Sequence, residues 1–269
     1  MPITPARFIW MDGTLIPWEE ARIHVLTHSL HYGSAVFEGI RAYKTRKGTS
    51  VFRLTDHLER LDRSAKIHLI EIPFRLEELV EATKQTIRAN ELTSCYIRPI
   101  VYRGYGEMGL NPLASVVNVA IAAWAWGAYL GDESFTKGVR IKISSWRRYD
   151  ANIVPPAAKA TGQYINSILA KIEAVKAGYD EAIMLNPLGY VADASGENVF
   201  IVHDGVLVTT PLSAGPLAGV TRDCTLRIAA DLGLAVQERA LIRTDLYTAD
   251  EAFLTGTAAE VVPIRSVDD

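Results

Sequence analysis

Apolar and polar positions along the chain follow two periods, and each period predicts its own kind of element. Over residues 76–90 the apolar positions recur every three or four residues, which predicts a helix with one buried face. Similar spacing predicts helices over 55–66, 165–175 and 222–232. In the helix over 165–175, the residues that repeat at this spacing are expected to form the buried face, namely Ile165, Ile168, Leu169, Ile172 and Val175.

Apolar runs and alternating apolar and polar positions predict strands between these helices. Two dipeptides, Asp12-Gly13 and Asp204-Gly205, stand between short apolar runs and predict tight hairpin turns. Pro99 has no N–H to donate, so its strand is expected to lie at a sheet edge or to contain a bulge. The predicted longer strands cover 94–103, 116–124, 139–144, 181–185, 198–202, 206–209, 235–239 and 252–255.

A change of composition after residue 125 indicates two domains. We predict a smaller N-terminal α/β domain at 1–125, an interdomain loop at 126–136 and a larger domain at 137–269. The length of 269 residues and the hydrophobic fraction of 49% supply enough material for two cores. A net charge of −3 argues against nucleic acid or an anionic membrane as a partner. With two cysteines and no apolar run long enough to span a bilayer, we predict a cytoplasmic protein.

Lys159 is the first candidate for chemistry, because it stands among small and apolar residues in the segment 155–164. Loss of hydration disfavours an ammonium group, and a neutral amine is the form that makes a Schiff base with a carbonyl. The local sequence alone fits a surface lysine at a helix start better. Three segments further along the chain change that interpretation: Gly196–Phe200, Ala218–Asp223 and Thr255–Glu260.

Together with Lys159, these segments resemble the fold-type IV, pyridoxal-phosphate-dependent branched-chain aminotransferases. The resemblance extends from about Asp12 to Asp268 and implies the two-domain α/β fold of that family, which is D-amino-acid aminotransferase-like. It implies ping-pong transamination of Leu, Ile and Val with 2-oxoglutarate, through a Schiff base on Lys159, in a homodimer or a higher, dimer-based oligomer. The family pattern continues for several tens of residues past Asp269, so part of the C-terminal domain is expected to be missing.

Pyridoxal phosphate needs an amine, an anion site and an acid partner for its ring nitrogen. Gly219-Val220-Thr221 precedes a predicted helix, whose first N–H groups and dipole favour a phosphate there. A planar arginine donor also suits a phosphate, and the resemblance assigns Arg60 to it. The full set that the resemblance assigns to the cofactor is Arg60, Lys159, Tyr164, Asp193, Glu197, Gly219, Val220, Thr221 and Thr257.

The acid partner departs from the family pattern. The family usually has Glu at the position of Asp193 and Gly at the position of Ala194. The shorter stem of Asp193 loses about 1.5 Å of reach, and Ala194 excludes a positive φ if the glycine used one. We hypothesise that Asp193 keeps the role of pairing with the ring nitrogen, and that Glu197 serves as a second acid or as a member of a buried network.

The resemblance also implies a substrate pocket with an apolar slot and a few polar groups. Met108 and Leu110 would reach the pocket of a partner subunit, and Arg98 would hold the γ-carboxylate of glutamate. Tyr96 and Arg98, two apart in a strand, are expected to point to the same face. The residues implied for substrate are Tyr32, Phe37, Gly39, Tyr96, Arg98, Met108, Leu110, Trp126, Tyr129, Gly196, Thr257 and Ala258.

Other functions remain open. His24, His28 and His31 are spaced like metal ligands but have no acidic or Cys partner at ligand spacing, so structural histidines and no metal are predicted. A sister activity on the same fold is possible: D-amino-acid or (R)-amine transaminase, or aminodeoxychorismate lyase. The Tyr96-x-Arg98 pattern argues against it. The remaining alternatives are a cofactor-binding but silent homologue and a small-molecule binding module without a Schiff base.

Overall fold

The structure is a computed structural model that describes residues 3–127, 130–131 and 133–269. The chain divides into unit 1 (Met1–Gly127 and Ala158–Gln163) and unit 2 (Ala128–Ala157 and Tyr164–Asp269). Lys159 therefore belongs to unit 1, although its number falls in the range predicted for the second domain. The reason is local pairing: Val36 forms a β-bridge with Ala160, and the Phe37 N–H donates to the Lys159 carbonyl at 3.0 Å.

Unit 1 consists of one sheet and its helices. The strands are β1 (Phe8–Met11), β2 (Thr14–Pro17), β3 (Ala35–Phe37), β4 (Ile40–Thr45), β5 (Gly48–Val51), β6 (Cys95–Arg103) and β7 (Val117–Trp124). The helices are α1 (His28–Tyr32), α2 (Leu54–Ile67) and α3 (Leu76–Ala89). The strand order is β2-β1-β7-β6-β4-β5, and β3 also pairs with β6.

Two predicted features of unit 1 are confirmed. Asp12 and Gly13 have φ values of 48° and 101° and join β1 to β2, as expected for a tight hairpin turn. The stripe on α3 is core, since Leu79, Thr83 and Ile87 are buried. These segments were predictable because their signals are local.

The predicted edge position of Pro99 is wrong, because β6 lies inside the sheet. It pairs with β7 from Tyr96 to Arg103 and with β3 and β4 on its other side. The register passes from Phe37 opposite Ile100 to Ile40 opposite Ile97, so Pro99 faces a break between β3 and β4. There its carbonyl accepts from the Glu38 N–H at 2.9 Å. In a strand, the N–H and the carbonyl of one residue point to the same side. Proline, which has no N–H, is therefore tolerated at position 99, where the hydrogen-bond ladder on that side is already interrupted.

Unit 2 is built on a second, mixed sheet. Its strands are β8 (Val139–Ile143), β9 (Glu181–Leu185), β10 (Val191–Ala194), β11 (Asn198–His203), β12 (Val206–Thr209), β13 (Val236–Glu238), β14 (Glu251–Gly256) and β15 (Glu260–Val267), in the order β10-β9-β8-β15-β14-β11-β12-β13. Its helices are α4 (Ser134–Lys137), α5 (Tyr164–Lys176), α6 (Val220–Asp231) and α7 (Arg243–Tyr247). In the part of the chain that the structure describes, no helix is both long and apolar enough to cross a membrane.

The predicted buried face of α5 is wrong. Ile165, Ile168, Ile172 and Val175 are exposed in this chain, and Leu169 is only half-buried. The helical period was correct, but the face against the sheet carries the smaller residues Asn166, Ser167, Ala170 and Ala174. Ala170 and Ala174 pack with Ala182 and Met184 of β9, because small side chains let a helix approach a sheet closely.

Candidate active site

Lys159 is held by its backbone on both sides. Its N–H donates to the Ser64 Oγ at 3.0 Å, and its carbonyl accepts from the Phe37 N–H at 3.0 Å. Its Nζ lies 4.9 Å from the centre of the Phe37 ring, within range of a cation–π contact. The side chain is half-buried. The structure therefore gives this lysine a fixed position beside an aromatic ring, unlike a solvated lysine at a helix start.

Arg60 lies on α2 and forms a buried ion pair that the sequence did not predict. Its Nε donates to Oε1 of Glu38 at 2.6 Å, and its Nη2 donates to Oε2 at 2.8 Å. The Nδ1 of His57 lies 2.8 Å from the same Oε2. All three side chains are buried. Arg60 is thus a guanidinium fixed in one plane, and not the solvated charge that its neighbours Glu59 and Asp62 suggested.

The charge of Glu38 follows from these neighbours. Burial by itself raises the pKa of the Glu38 carboxyl, but Arg60 and His57 outweigh burial and lower the pKa to about 2. The carboxylate is therefore an anion at neutral pH. It accepts hydrogen bonds from Arg60 and His57, and these bonds hold the Arg60 side chain in one position.

The Tyr96-x-Arg98 pair lies on one face of β6, as predicted. Arg98 Nη2 donates to the Tyr96 hydroxyl at 2.9 Å, and the guanidinium carbon lies 4.8 Å from the centre of the Phe37 ring. A Cβ added to Gly39 would lie 2.0 Å from the Tyr96 hydroxyl, so only glycine fits there. Phe37, Gly39, Tyr96 and Arg98 are therefore brought together in unit 1. The ring of Trp126 joins them, with its centre 4.5 Å from that of Tyr96.

Three other residues expected at the substrate lie on the surface of unit 1. Tyr32 and Met108 are exposed, and Leu110 is 90% exposed. Tyr129 lies outside the described residues. For these four residues, the role in substrate binding stays a prediction.

In unit 2, Asp193 pairs with an arginine that the sequence analysis did not single out. Arg148 Nε donates to the Asp193 Oδ1 at 2.6 Å. The same guanidinium donates from Nη1 to the Ser167 Oγ at 2.7 Å and from Nη2 to the Ala194 carbonyl at 2.7 Å. These contacts fix both Arg148 and the carboxylate, which is buried. Asp193 is therefore oriented by its own unit.

The backbone around Asp193 answers one question raised by the sequence. Ala194 pairs with Ile183 on β9 and is not among the residues with positive φ, so this position does not need glycine. The register of β10 shifts between Val191 and Asp193, which is the mark of a bulge or irregularity. A bulge re-aims a side chain, and this one lies directly before Asp193.

Glu197 is buried beside another carboxyl group. Its Oε2 accepts from the Gly196 N–H at 3.1 Å. Burial and the nearby charge of Glu181 raise the pKa of Glu197 to about 8, although Lys171 acts against them. Lys171 forms an ion pair with Glu181, with 2.7 Å between Nζ and Oε2. Glu197 therefore keeps a proton at neutral pH and lies in a cluster of charged groups with Glu181 and Lys171. Its role toward the cofactor, as a second acid or as a member of a buried network, stays a prediction.

The start of α6 has the features of an anion site. Gly219 precedes the helix, and a Cβ there would lie 2.1 Å from the Asn198 Oδ1, so the position has room only for glycine. Asn198 in turn donates to the Leu217 carbonyl at 2.9 Å and holds the loop. The residue at the N-cap, Gly219, has no side chain with which to cap the helix. The first N–H groups of Val220 and Thr221 are therefore placed to meet an anion.

The turn that contains Thr257 and Ala258 and the segment that contains Gly196 lie at the ends of two neighbouring strands, β14 and β11. Thr257 and Ala258 form the turn between β14 and β15, and β14 is the neighbour of β11, which follows Gly196. A Cβ added to Gly256 would lie 3.2 Å from the Glu197 Cγ, so this turn packs tightly on Glu197. Unit 2 thus gathers Glu197 and the turn at Thr257 at one end of paired strands.

Comparison with known proteins bears on this arrangement. Residues 35–267 match the family model described as Amino-transferase class IV. The chain belongs to the class IV aminotransferase family. The predicted family and the fold class that goes with it are thereby confirmed.

The relatives of this class IV aminotransferase are close in sequence and structure. A branched-chain-amino-acid aminotransferase of Pseudomonas aeruginosa is 51% identical over 260 residues, which are 97% of this chain and 84% of the relative. The crystal structure of the Escherichia coli branched-chain amino acid aminotransferase has a TM-score of 0.97 at 48% identity, covering 98% of this chain and 87% of the other. A third enzyme of the same name, from T.th. and complexed with N-(5'-phosphopyridoxyl)-L-glutamate, has a TM-score of 0.94 at 52% identity, covering 98% and 86%.

Two of the three histidines that are spaced like metal ligands in this class IV aminotransferase make hydrogen bonds within unit 1. His28 is buried, with Nδ1 2.7 Å from the Ser34 Oγ and Nε2 2.8 Å from the Gly109 carbonyl oxygen. The Nε2 of His31 lies 2.8 Å from the Val25 carbonyl oxygen. These ring nitrogens are engaged by the protein itself.

Sequence reasoning missed five residues that support the assigned ones. In unit 1 a charged residue inside an apolar segment was the available signal, and Glu38 stands in such a place between Phe37 and Gly39. For Arg148 no local signal exists, because its partners are 45 and 46 positions away. The missed residues are Glu38, His57, Ser64, Arg148 and Asn198.

Proposed function

We propose that this chain transfers the amino group of L-leucine, L-isoleucine or L-valine to 2-oxoglutarate, with pyridoxal phosphate as the cofactor. Two close relatives are branched-chain aminotransferases by name, and a third was crystallised with a ligand that joins a phosphopyridoxyl group to L-glutamate. The observation that carries the proposal is the fixed position of Lys159 beside Phe37. A lysine held in this way is suited to covalent catalysis.

The residues present fit this cofactor. Unit 1 offers the amine of Lys159 and the guanidinium of Arg60, a donor whose geometry suits a phosphate. Unit 2 offers the Asp193 carboxylate, oriented by Arg148, and the helix start at Gly219, where a side chain would collide with Asn198. Among the groups that pyridoxal phosphate requires, unit 1 thus offers the amine, and unit 2 offers the acid partner and an anion site.

When bound, pyridoxal phosphate supplies an electron sink for the negative charge that develops on the substrate Cα. Lys159 would remove and return the Cα proton as general base and then general acid. Its backbone contacts to Ser64 and Phe37 keep the Nζ in reach of one position. The Asp193 carboxylate would accept a hydrogen bond from the ring nitrogen, and Arg148 would hold that carboxylate in place.

Substrate selection follows from the cluster in unit 1. Phe37 and Trp126, whose rings lie beside Arg98 and Tyr96, would supply apolar surface for a branched side chain. Arg98 would hold the γ-carboxylate of glutamate or 2-oxoglutarate, because a carboxylate needs a cation or several donors when it leaves water. The Arg98 Nε is buried and has no hydrogen-bond partner among the described residues, so a donor is available for a substrate oxygen.

We propose a homodimer as the smallest active assembly, located in the cytoplasm. Met108 and Leu110 are large apolar side chains at the surface of unit 1, where a second subunit would cover them. Two cysteines in 269 residues are in keeping with a reducing compartment.

The visible absorption spectrum of the purified holoenzyme tests the proposal. We expect L-leucine to convert the aldehyde-form band to the amine-form band, and 2-oxoglutarate to restore it. D-alanine and an (R)-amine, added separately, should leave the band unchanged. Conversion by either of them instead of L-leucine would assign the sister activity, and a band that no donor converts would indicate a silent homologue.

A further inference from the structure

Glu38 is a buried carboxylate in unit 1 that lies next to two of the residues assigned to the cofactor, Arg60 and Lys159. It stands between β3 and β4 and is completely buried. Both of its oxygens are engaged, Oε1 by Arg60 and Oε2 by Arg60 and His57. The Gly39 N–H adds a further contact to Oε2 at 3.2 Å. A carboxylate with this many donors has one orientation.

The contact to Arg60 is a fork. Nε and Nη2 donate to separate oxygens, and two parallel bonds fix the plane of a guanidinium as well as its position. Two of the five N–H donors of the side chain form this fork. Because the guanidinium is planar, the fork also sets the orientation of its other N–H donors.

The same segment also holds Lys159. Phe37, the neighbour of Glu38, donates its N–H to the Lys159 carbonyl. Ser64, one helical turn after Arg60, donates from Oγ to the Arg60 carbonyl at 2.8 Å and accepts from the Lys159 N–H at 3.0 Å. Arg60 and Lys159 are thus connected by hydrogen bonds through Ser64 on one side and through the dipeptide Phe37-Glu38 on the other.

We infer that Glu38 is a positioning residue for the cofactor phosphate: it holds the Arg60 guanidinium in the orientation that binds the phosphate and in register with Lys159. The inference rests on the proposed role of Arg60. A purely stabilising role is a poor explanation for this pair, because a buried ion pair often stabilises a fold no more than apolar residues of the same size. Orientation of a donor is a function that apolar residues do not provide.

The test compares two ligands of the apoprotein: pyridoxal phosphate and pyridoxal, which lacks the phosphate. Glu38→Gln places an amide N–H against the donors of Arg60, so the fork is lost. We expect the affinity for pyridoxal phosphate to fall about tenfold or more, while that for pyridoxal changes by less than about twofold. Glu173→Gln, in which a carboxylate bound to Ser144 and Ser145 in unit 2 is altered, is the control and should change neither affinity.

A double-mutant cycle with Arg60→Met separates the possible outcomes. If Glu38 acts through Arg60, Glu38→Gln has little further effect on the ratio of the two affinities once Arg60 is gone. Equal losses for both ligands, or additive losses in the cycle, would overturn the inference. If Arg60→Met itself leaves the ratio at its wild-type value, the assignment of Arg60 to the phosphate fails, which is a different result.

Thermal unfolding of each apoprotein shows whether the variants are folded. Should Glu38→Gln fail to fold, Glu38→Asp keeps the charge and shortens the stem. The folded Glu38→Asp variant is expected to lose part of the preference for pyridoxal phosphate over pyridoxal. A wild-type preference in that variant would contradict a role that depends on orientation.

Discussion

Unit 1 and unit 2 each carry a buried glutamate next to residues that we assign to the cofactor, and the neighbours of the two glutamates differ. Glu38 faces Arg60 and His57, and its pKa is lowered to about 2. Glu197 faces the carboxyl of Glu181, and burial together with that charge raises its pKa to about 8. At neutral pH the first is an anion and the second keeps its proton.

The comparison extends to the assigned groups themselves. Unit 1 contributes basic side chains, namely Lys159, Arg60 and Arg98, each fixed by a carboxylate, a hydroxyl or a backbone contact. Unit 2 contributes the Asp193 carboxylate and the N–H groups at the start of α6. Burial alone therefore does not set the charge of a site, because the partners that the fold brings to each group decide it.

Removal of the amine in unit 1 should have the largest effect. Lys159→Met keeps an unbranched apolar stem but leaves no base for the Cα proton, so kcat should fall by about 10³-fold. Steady-state kinetics with L-leucine measures it. Lys176→Met, on the exposed side of α5, is the matched control and should retain wild-type kcat. Activity near wild type in Lys159→Met would contradict the assignment of Lys159 in unit 1 as the base.

Neutralisation of the acid partner in unit 2 comes next. Asp193→Asn keeps the size of the side chain but loses the charge that favours a protonated cofactor ring, so kcat should fall about 10²-fold. The absorption band of the bound cofactor should also shift. Asp180→Asn, an exposed carboxylate on the same unit, should change neither. If Asp193→Asn bound the cofactor and turned over like wild type, Asp193 would not be the acid partner.

Substrate discrimination depends on the cation in the cluster of unit 1. Arg98→Ala should lower kcat/KM for 2-oxoglutarate about tenfold more than for L-leucine, since only the first has a second carboxylate. Arg88→Ala on the exposed face of α3 serves as the control. Equal losses for the two substrates would mean that Arg98 has no selective role.

The two buried glutamates are tested separately, through the dependence of stability on pH. Glu197 has a folded pKa of about 8 against an ordinary value of 4.5, so its protonated form stabilises the fold below pH 4.5 and that contribution is lost as the pH rises through about 8. Relative to Glu197→Gln, the free energy of unfolding of wild type should decline by about 1 kcal/mol per pH unit across this window. Parallel curves in chemical denaturation would contradict the assigned charge.

The contribution of Glu38 should have the opposite sign. Its pKa is lowered to about 2 from 4.5, so the stability that it contributes is present above pH 4.5 and is lost as the pH falls toward 2. The free energy of unfolding of wild type and of Glu38→Gln, measured by chemical denaturation between pH 5 and 3, checks this prediction. A curve of the variant that stays parallel to that of wild type would argue against an anionic Glu38.

Much of the fold could be predicted because its signals are local. The turn at Asp12-Gly13 and the stripe on α3 depend on neighbouring residues, and both are confirmed. The buried face of α5 could not be predicted in the same way. The isoleucines set the period, but close packing of Ala170 and Ala174 on β9 decides which face is buried.

In the candidate site, a family motif marks Lys159, Asp193 and Gly219, and their roles stay predictions. The structure adds their neighbours. A neighbour was not predictable where it is distant in sequence. Glu38 and Arg60 are 22 positions apart, and Arg148 and Asp193 are 45 apart. Such pairs depend on the tertiary structure, so they cannot be predicted from composition or from the periodicity of the sequence.

The most direct test of the central claim is to locate the lysine that carries the cofactor. The holoenzyme would be reduced with borohydride and digested, and the peptide with a phosphopyridoxyl group would be identified by mass spectrometry. We predict that the label is on Lys159 and that prior incubation with L-leucine prevents labelling. A label on another lysine, or none on a protein that contains bound cofactor, would contradict the assignment of Lys159.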